Sequence, residues 1–334
     1  MNTNKIILCL KIATAGLIAF IILNAICIFY YNVPIHNASK TNSTDYIREK
    51  NKFYSRGTEG FAWGITDKNG FNNLETFKQG EIDVIVMGSS HMEGFNVAHD
   101  KNTTAIMNSK FRASGIDMNV YNIGISGHTL VRCLNNLENV INEFGPQKYI
   151  VIETQSVEPS VDIIKSTLDG TLTPMASHSE GIMGMLQKSP YLRLVYAQLK
   201  NAQENNVTSV VSKDQEIDND KNEMCHLLNL LMEKSAKICN EAGTELIIFY
   251  NCSISIDEQG KTIERKNSDS IEQFRMICEN NDVIFIDMYE VFKENYEETY
   301  KLPRGFSNSK AGSGHLNEEG HRVIAEKLFS VICK

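Results

Sequence analysis

Two short segments more than 200 residues apart carry side chains that together suit acyl transfer. Val84-Ile85-Val86-Met87-Gly88-Ser89-Ser90-His91 is an apolar run that breaks at a glycine and delivers a serine. Gly314-His315-Leu316-Asn317-Glu318-Glu319-Gly320-His321 presents a histidine at the mouth of a predicted helix near the C-terminus. A serine hydroxyl is a weak nucleophile until a positioned base takes its proton. Ser90 and His315 therefore read as nucleophile and base, provided the fold brings them together.

The elements that must position them follow from the hydrophobic pattern. Short, nearly continuous β-branched runs at 82–87, 118–125, 149–152, 246–250 and 283–286 read as strands buried on both faces. Helical periodicity fills the intervals at 129–144, 218–242, 268–279 and 318–333. Strands alternating with helices imply a mainly parallel five-stranded sheet in a flavodoxin-like three-layer α/β/α sandwich. Residues 156–215 form a long insertion, helical around 190–200, of the kind that shapes a substrate cleft.

Outside this domain, assigned to 81–334, the N-terminus has its own character. Lys5 and Lys11 precede an apolar run at 12–31, long enough to span a bilayer as an uncleaved signal anchor. The lysines assign 1–11 to the cytoplasm and the domain to the outside of the cell membrane, as a single-pass protein. Residues 32–80 are polar and irregular and read as a stalk and lead-in, with Tyr54, Phe61 and Trp63 available to pack onto the domain. The net charge of −8 and the lack of a basic stripe argue against nucleic acid as a partner. None of the eight cysteines forms a CxxC pair; Cys225 and Cys239 share a predicted helix face, and disulfide pairing is not legible.

Ligands of open parallel sheets bind outside the carboxyl ends of the strands. Ser89, Ser90 and His91 follow the first strand there, although two serines also suit a helix cap. After the second strand, Asn122-Ile123-Gly124-Ile125-Ser126-Gly127-His128-Thr129 offers a glycine amide for an oxyanion, or simply a tight turn. After the third come Glu153, Thr154 and Gln155. Gln155 or Thr154 is a candidate oxyanion donor, and Glu153 is equally a structural carboxylate. Ser89, His91, Asn122 and Glu153 are the remaining candidate cleft residues. His91, His99 and Glu93 match no metal-ligand spacing, so no metal or other cofactor is expected.

Together these segments resemble the SGNH/GDSL hydrolase superfamily. Its Gly-Asp-Ser block is similar to Gly88-Ser89-Ser90, its second block to Asn122–Thr129, and its last to His315-Leu316-Asn317-Glu318-Glu319-Gly320. The resemblance implies Ser90 as nucleophile, Gly127 and Ser90 as oxyanion amides, and His315 as general base. Where the family has an aspartate three residues before the histidine, this chain has Gly312. A Ser90–His315 dyad is the leading expectation; a carboxylate from elsewhere or weak activity are the others. The implied activity is a serine esterase or O-acyltransferase on acetyl or D-alanyl esters of surface polysaccharide, peptidoglycan or teichoic acid. The competing reading is an inactive surface module that binds glycan or a membrane-bound acyltransferase.

Overall fold

The structure, a computed structural model, describes residues 3–38, 46–173, 175, 188–204, 217–265 and 269–334. Its centre is a five-stranded, all-parallel sheet made of β6 (Val84–Met87), β7 (Val120–Asn122), β8 (Tyr149–Thr154), β9 (Glu245–Tyr250) and β12 (Ile284–Asp287). The spatial order β7-β6-β8-β9-β12 is the flavodoxin-like arrangement, with its switch point between β6 and β8.

Each strand alternates between two cores, because successive side chains leave opposite faces of a sheet. Ile85, Met87, Ile150, Ile152, Leu246 and Ile248 face one cluster, which is closed by α4 (Leu130–Asn135), α5 (Leu137–Phe144), α6 (Val161–Leu168), α8 (Ile217–Glu241) and α9 (Asp269–Asn280). Val84, Val86, Val151, Ile247 and Phe249 face the other, closed by α3 (Thr103–Ala113), α10 (Tyr289–Thr299) and α11 (Glu318–Ile332). The result is the expected three-layer sandwich. The helix read at 129–144 is broken at Asn136 into α4 and α5, and α3 and α10 had no clear sequence signature.

The N-terminal helix α1 (Thr3–Tyr30) runs further back than 12–31 and takes in both lysines. It is long and apolar enough to cross a membrane, with a mean hydropathy of 2.7 over its best window. It leads straight into an antiparallel sheet of β1 (Tyr31–Asn32), β4 (Phe53–Arg56) and β5 (Ala62–Ile65), while β2 (His36–Ala38) pairs with β3 (Tyr46–Arg48). The segment read as irregular is thus partly sheet. Its strands are two to four residues long, too short for periodicity to register. A further two-stranded ribbon, β10 (Ser255–Ile256) with β11 (Thr262–Ile263), lies beyond β9.

In the insertion, α6 packs against α4 and α8, whereas α7 (Pro190–Glu204) packs on α1 and β1. Residues 174, 176–187 and 205–215 of the insertion lie outside the described residues. No disulfide forms among the described cysteines.

A buried ion pair ties the N-terminal segment to the domain. Arg48 on β3 forks onto Glu93, with Nε–Oε1 at 2.7 Å and Nη2–Oε2 at 2.9 Å, and also donates to the Pro34 carbonyl. Ser126 donates to the same carboxylate. Removing one partner of a buried pair strands the other charge. Arg48→Ala should therefore lower unfolding stability by on the order of 3 kcal/mol, read as a lower thermal midpoint in detergent micelles. Arg48→Lys should recover only part, because an ammonium lacks the guanidinium fork. An unchanged midpoint in Arg48→Ala would show that the segment docks without this pair.

Candidate active site

The site forms where β6 and β8 part. Gly88 ends β6 at a place where a Cβ would lie 2.7 Å from Glu153 Cβ and 2.8 Å from Met92 Cγ. No side chain fits there, so the chain turns tightly into α2 (Ser90–Glu93), capped by Ser89 Oγ accepting from the His91 amide. Ser90 is the first residue of that turn, half-buried, with its side chain facing the loop before α11.

That loop brings in His315. Its Nε2 lies 2.9 Å from Ser90 Oγ. Its Nδ1 lies 2.5 Å from Oε2 of Glu59, and its backbone amide donates to Glu59 Oε1 at 2.7 Å. The two oxygens of one carboxylate therefore hold both the ring and the main chain of the histidine. With Nδ1–H donating to Glu59, the Nε2 lone pair is left facing the serine. Burial by itself would raise the Glu59 carboxyl, but its hydrogen bonds to His315 and the charges of His315 and Arg56 hold it below the usual range.

Glu59 corrects the expectation of a dyad. It lies in the β4–β5 connection, 256 residues from His315 in sequence. Asn96 donates to its carbonyl at 2.9 Å, and Asn308 bridges the carbonyls of Gly57 and Gly60 while accepting from the Gly60 amide. Gly314, at φ +78°, is required because a Cβ there would run into the Glu59 carboxylate. Gly312 also has positive φ, at +74°, and its Cβ direction meets only Leu302. An aspartate at 312 would be strained in this turn. The position three residues before the histidine is a turn here, and the carboxylate bonded to His315 comes from the N-terminal segment.

Under the pair sits a buried polar frame. Glu153 accepts from the Ser89 amide at 2.8 Å and from Asn251 Nδ2 at 2.9 Å. Arg304 donates to both oxygens of Asn251 and to the Gly314 carbonyl, and its Nη1 lies 3.2 Å from His91 Nε2. His91 accepts the Leu316 amide on Nδ1 at 3.1 Å, with its ring 5.1 Å from that of His315. Burial first, then the Arg304 and His315 charges, push the His91 pKa down to about 2, so it stays neutral beside His315. Ser89 and Glu153 are buried yet still line the wall of a cavity, whereas His91 is a buried support. Asn122 is likewise buried, bonded to the Met92 carbonyl and the Gly124 amide.

The oxyanion candidates separate. Thr154 is buried and lines the cavity beside Ser89, but its hydroxyl is bonded to Ser156 in a local turn. Gln155 is exposed and donates from Nε2 to Ser89 Oγ at 2.8 Å. Gly127 is exposed at φ +86°, and no hydrogen bond engages its amide or that of Ser90 among the described residues. Ile125 donates to the Gly88 carbonyl, and a Cβ at Gly124 would lie 2.6 Å from the Glu93 amide nitrogen, so glycine lets the Gly127 turn pack against α2. Beside Ser89, a cavity of about 270 Å³ opens between Leu130, Val131, Ile163, His128 and Gln155. Glu93 is committed to Arg48, so it does not converge with His91 and His99.

No family model matches the chain, and no curated protein matches it. Among solved structures, it is similar to TesA at 14% identity, covering 75% of this chain and 97% of that one, with a TM-score of 0.40. It is similar to the acetyl xylan esterase AlAXEase at 13%, covering 75% and 100%, with a TM-score of 0.41. It is also similar to a member of the lipolytic protein G-D-S-L family from Veillonella parvula at 15%, covering 76% and 99%, with a TM-score of 0.40.

A pH dependence of stability follows from the buried histidines. His321 on α11 accepts the Thr103 amide at 3.2 Å, and burial, then the His315 charge, lower its pKa to about 3. His91 and His321 fold neutral but are protonated below about 6.5 when unfolded. Their contribution is full above that value and declines as pH falls, by roughly 1 kcal/mol per pH unit for each. Thermal midpoints should drop between pH 7 and pH 4.5, and His321→Gln should flatten the drop. A midpoint independent of pH over that range would contradict neutral burial of both rings.

Proposed function

We propose that this chain is a membrane-anchored serine esterase or O-acyltransferase that works through Ser90, His315 and Glu59. The observation that carries the reading is His315 held between Ser90 and Glu59 at 2.9 and 2.5 Å. That spacing lies within reach for proton transfer and supports catalysis over an inactive binding module.

Ser90 Oγ attacks the ester carbonyl carbon while its proton passes to His315 Nε2. The Glu59 carboxylate stabilises the imidazolium that forms, and the amides of Ser90 and Gly127 are the donors offered to the tetrahedral oxyanion. Collapse expels the alcohol, which takes the proton from His315, and leaves an acyl-serine. A water or acceptor hydroxyl, deprotonated by His315, then attacks the acyl carbon and releases Ser90.

The small, largely apolar cavity suits a short acyl group or one sugar unit better than a long alkyl chain. Acetyl or D-alanyl esters of surface polysaccharide, peptidoglycan or teichoic acid are the substrate class that fits an anchored enzyme. With Lys5 and Lys11 ahead of the apolar stretch, α1 would leave the domain outside the cytoplasm, where a membrane-bound acyltransferase is also a fitting partner.

Fluorophosphonate should label the wild-type protein, and p-nitrophenyl acetate should turn over; both should vanish in Ser90→Ala and His315→Ala. A folded wild type inert to both reagents would overturn the proposal. Gly314→Ala, by displacing the Glu59 carboxylate, should slow p-nitrophenyl acetate turnover by roughly 100-fold, the scale of a small misplacement of a catalytic group. Unaltered turnover would mean that Glu59 need not sit where it does.

A further inference from the structure

Exposed apolar surface gathers around the C-terminal end of α1. Ser55 Oγ on β4 donates to the Ile28 carbonyl at 2.8 Å, and the Phe53 ring lies 6.2 Å from Phe29. The outer face of β4 is therefore the face that meets α1. By register, Trp63 is opposite Ser55 and Ile65 is opposite Phe53, so both lie on that same face. Trp63 is 58% exposed, Ile65 54%, and Phe61, in ring contact with Trp63, 64%.

The second element is α7. Ser189 donates to Asn24 at 2.6 Å, Tyr191 meets Phe20 edge-on at 6.1 Å, and Arg193 donates to Asn32 at 2.8 Å. This helix therefore starts beside the last three turns of α1, within the apolar stretch itself. It leaves Val195, Tyr196 and Leu199 exposed. Amphipathic helices with aromatic residues, and tryptophans next to a spanning helix, are at home where headgroups meet acyl chains.

We propose that the folded domain itself lies on the bilayer, with Phe61, Trp63 and Ile65 and the apolar face of α7 seated in the interfacial lipid. The surface is continuous with α1, and the occupant is lipid. The inference rests on α1 crossing the membrane and is independent of the chemistry at Ser90. One consequence concerns the site. Glu59 stands on the β4–β5 connection, and Gly57 in that connection lies so close to Tyr30 that a Cβ would come within 2.6 Å of its ring. The Ser90–His315–Glu59 cluster is thereby held at the membrane surface. Acyl donors and acceptors carried by lipids or by membrane proteins reach it more readily than distant polymer.

Trp63 is the only tryptophan in the chain, so the full-length protein reports on this face without labels. It would be reconstituted in lipid nanodiscs that carry a spin-labelled phospholipid with the quencher either near the headgroup or deep in the acyl chain. The expected result is co-elution with the discs, strong loss of Trp63 emission with the shallow quencher, less with the deep one, and little with aqueous iodide. Co-elution with full iodide quenching and no loss from the lipid label would overturn the proposal, and would be the outcome if the face instead receives a protein. Failure to co-elute would overturn α1 as a span and the proposal with it. In Tyr196→Asp with Leu199→Asp, shallow quenching should fall while fluorophosphonate labelling of Ser90 reports an intact fold. Unchanged quenching with labelling intact would remove α7 from the contact.

Discussion

The grip of Glu59 on His315 is the contact on which the rest of the site depends. A histidine near a serine is only a base if the correct nitrogen is free and the ring cannot rotate away. Here one carboxylate accepts both the ring Nδ1–H and the backbone amide of His315, fixing tautomer and loop position together. That contact also makes the N-terminal segment part of the site, since Glu59 reaches His315 only if β4 and β5 are docked. The Arg48–Glu93 pair, the Asn308 bridge and Gly60 and Gly314 are the means by which that docking is held.

The polar frame below the pair explains why so many buried polar groups are tolerated. Glu153, Asn251, Arg304 and His91 bond to one another and to the backbone at Ser89, Gly314 and Leu316, while Arg304 Nε is buried without a partner among the described residues. Each bond made offsets the desolvation cost of a buried polar group and fixes geometry as well. It links the loop after β6, the ends of β8 and β9, and the loop before α11. Ser90 and His315 therefore sit on one connected assembly.

Much of this was legible in the sequence, for a clear reason. The five central strands are buried on both faces and so are written as continuous apolar runs, which located the sheet, its C-terminal edge, Ser90 and His315. Glu59 was not legible, because an acid supplied from a short hairpin leaves no spacing relative to the histidine. Gly312 was read as a missing acid; it is a positive-φ turn residue, and only coordinates show that the acid comes from elsewhere. His91, Glu153 and Asn122 lie at the expected edge, but whether an edge residue faces solvent or the frame depends on partners such as Arg304 and Asn251. For Thr154 likewise, the sequence could not show that its hydroxyl is used in its own turn.

The most direct measurement is the second-order rate of fluorophosphonate labelling of Ser90 in Glu59→Gln against wild type, at neutral pH and in the same micelles. The substitution keeps the volume and removes the charge that orients and stabilises the histidine. The predicted result is a rate lower by roughly 10²–10⁴-fold, with Ser90 still labelled on long exposure. A rate within about threefold of wild type, less than 1 kcal/mol, would contradict a working Ser90–His315–Glu59 triad and return His315 to acting without an acid.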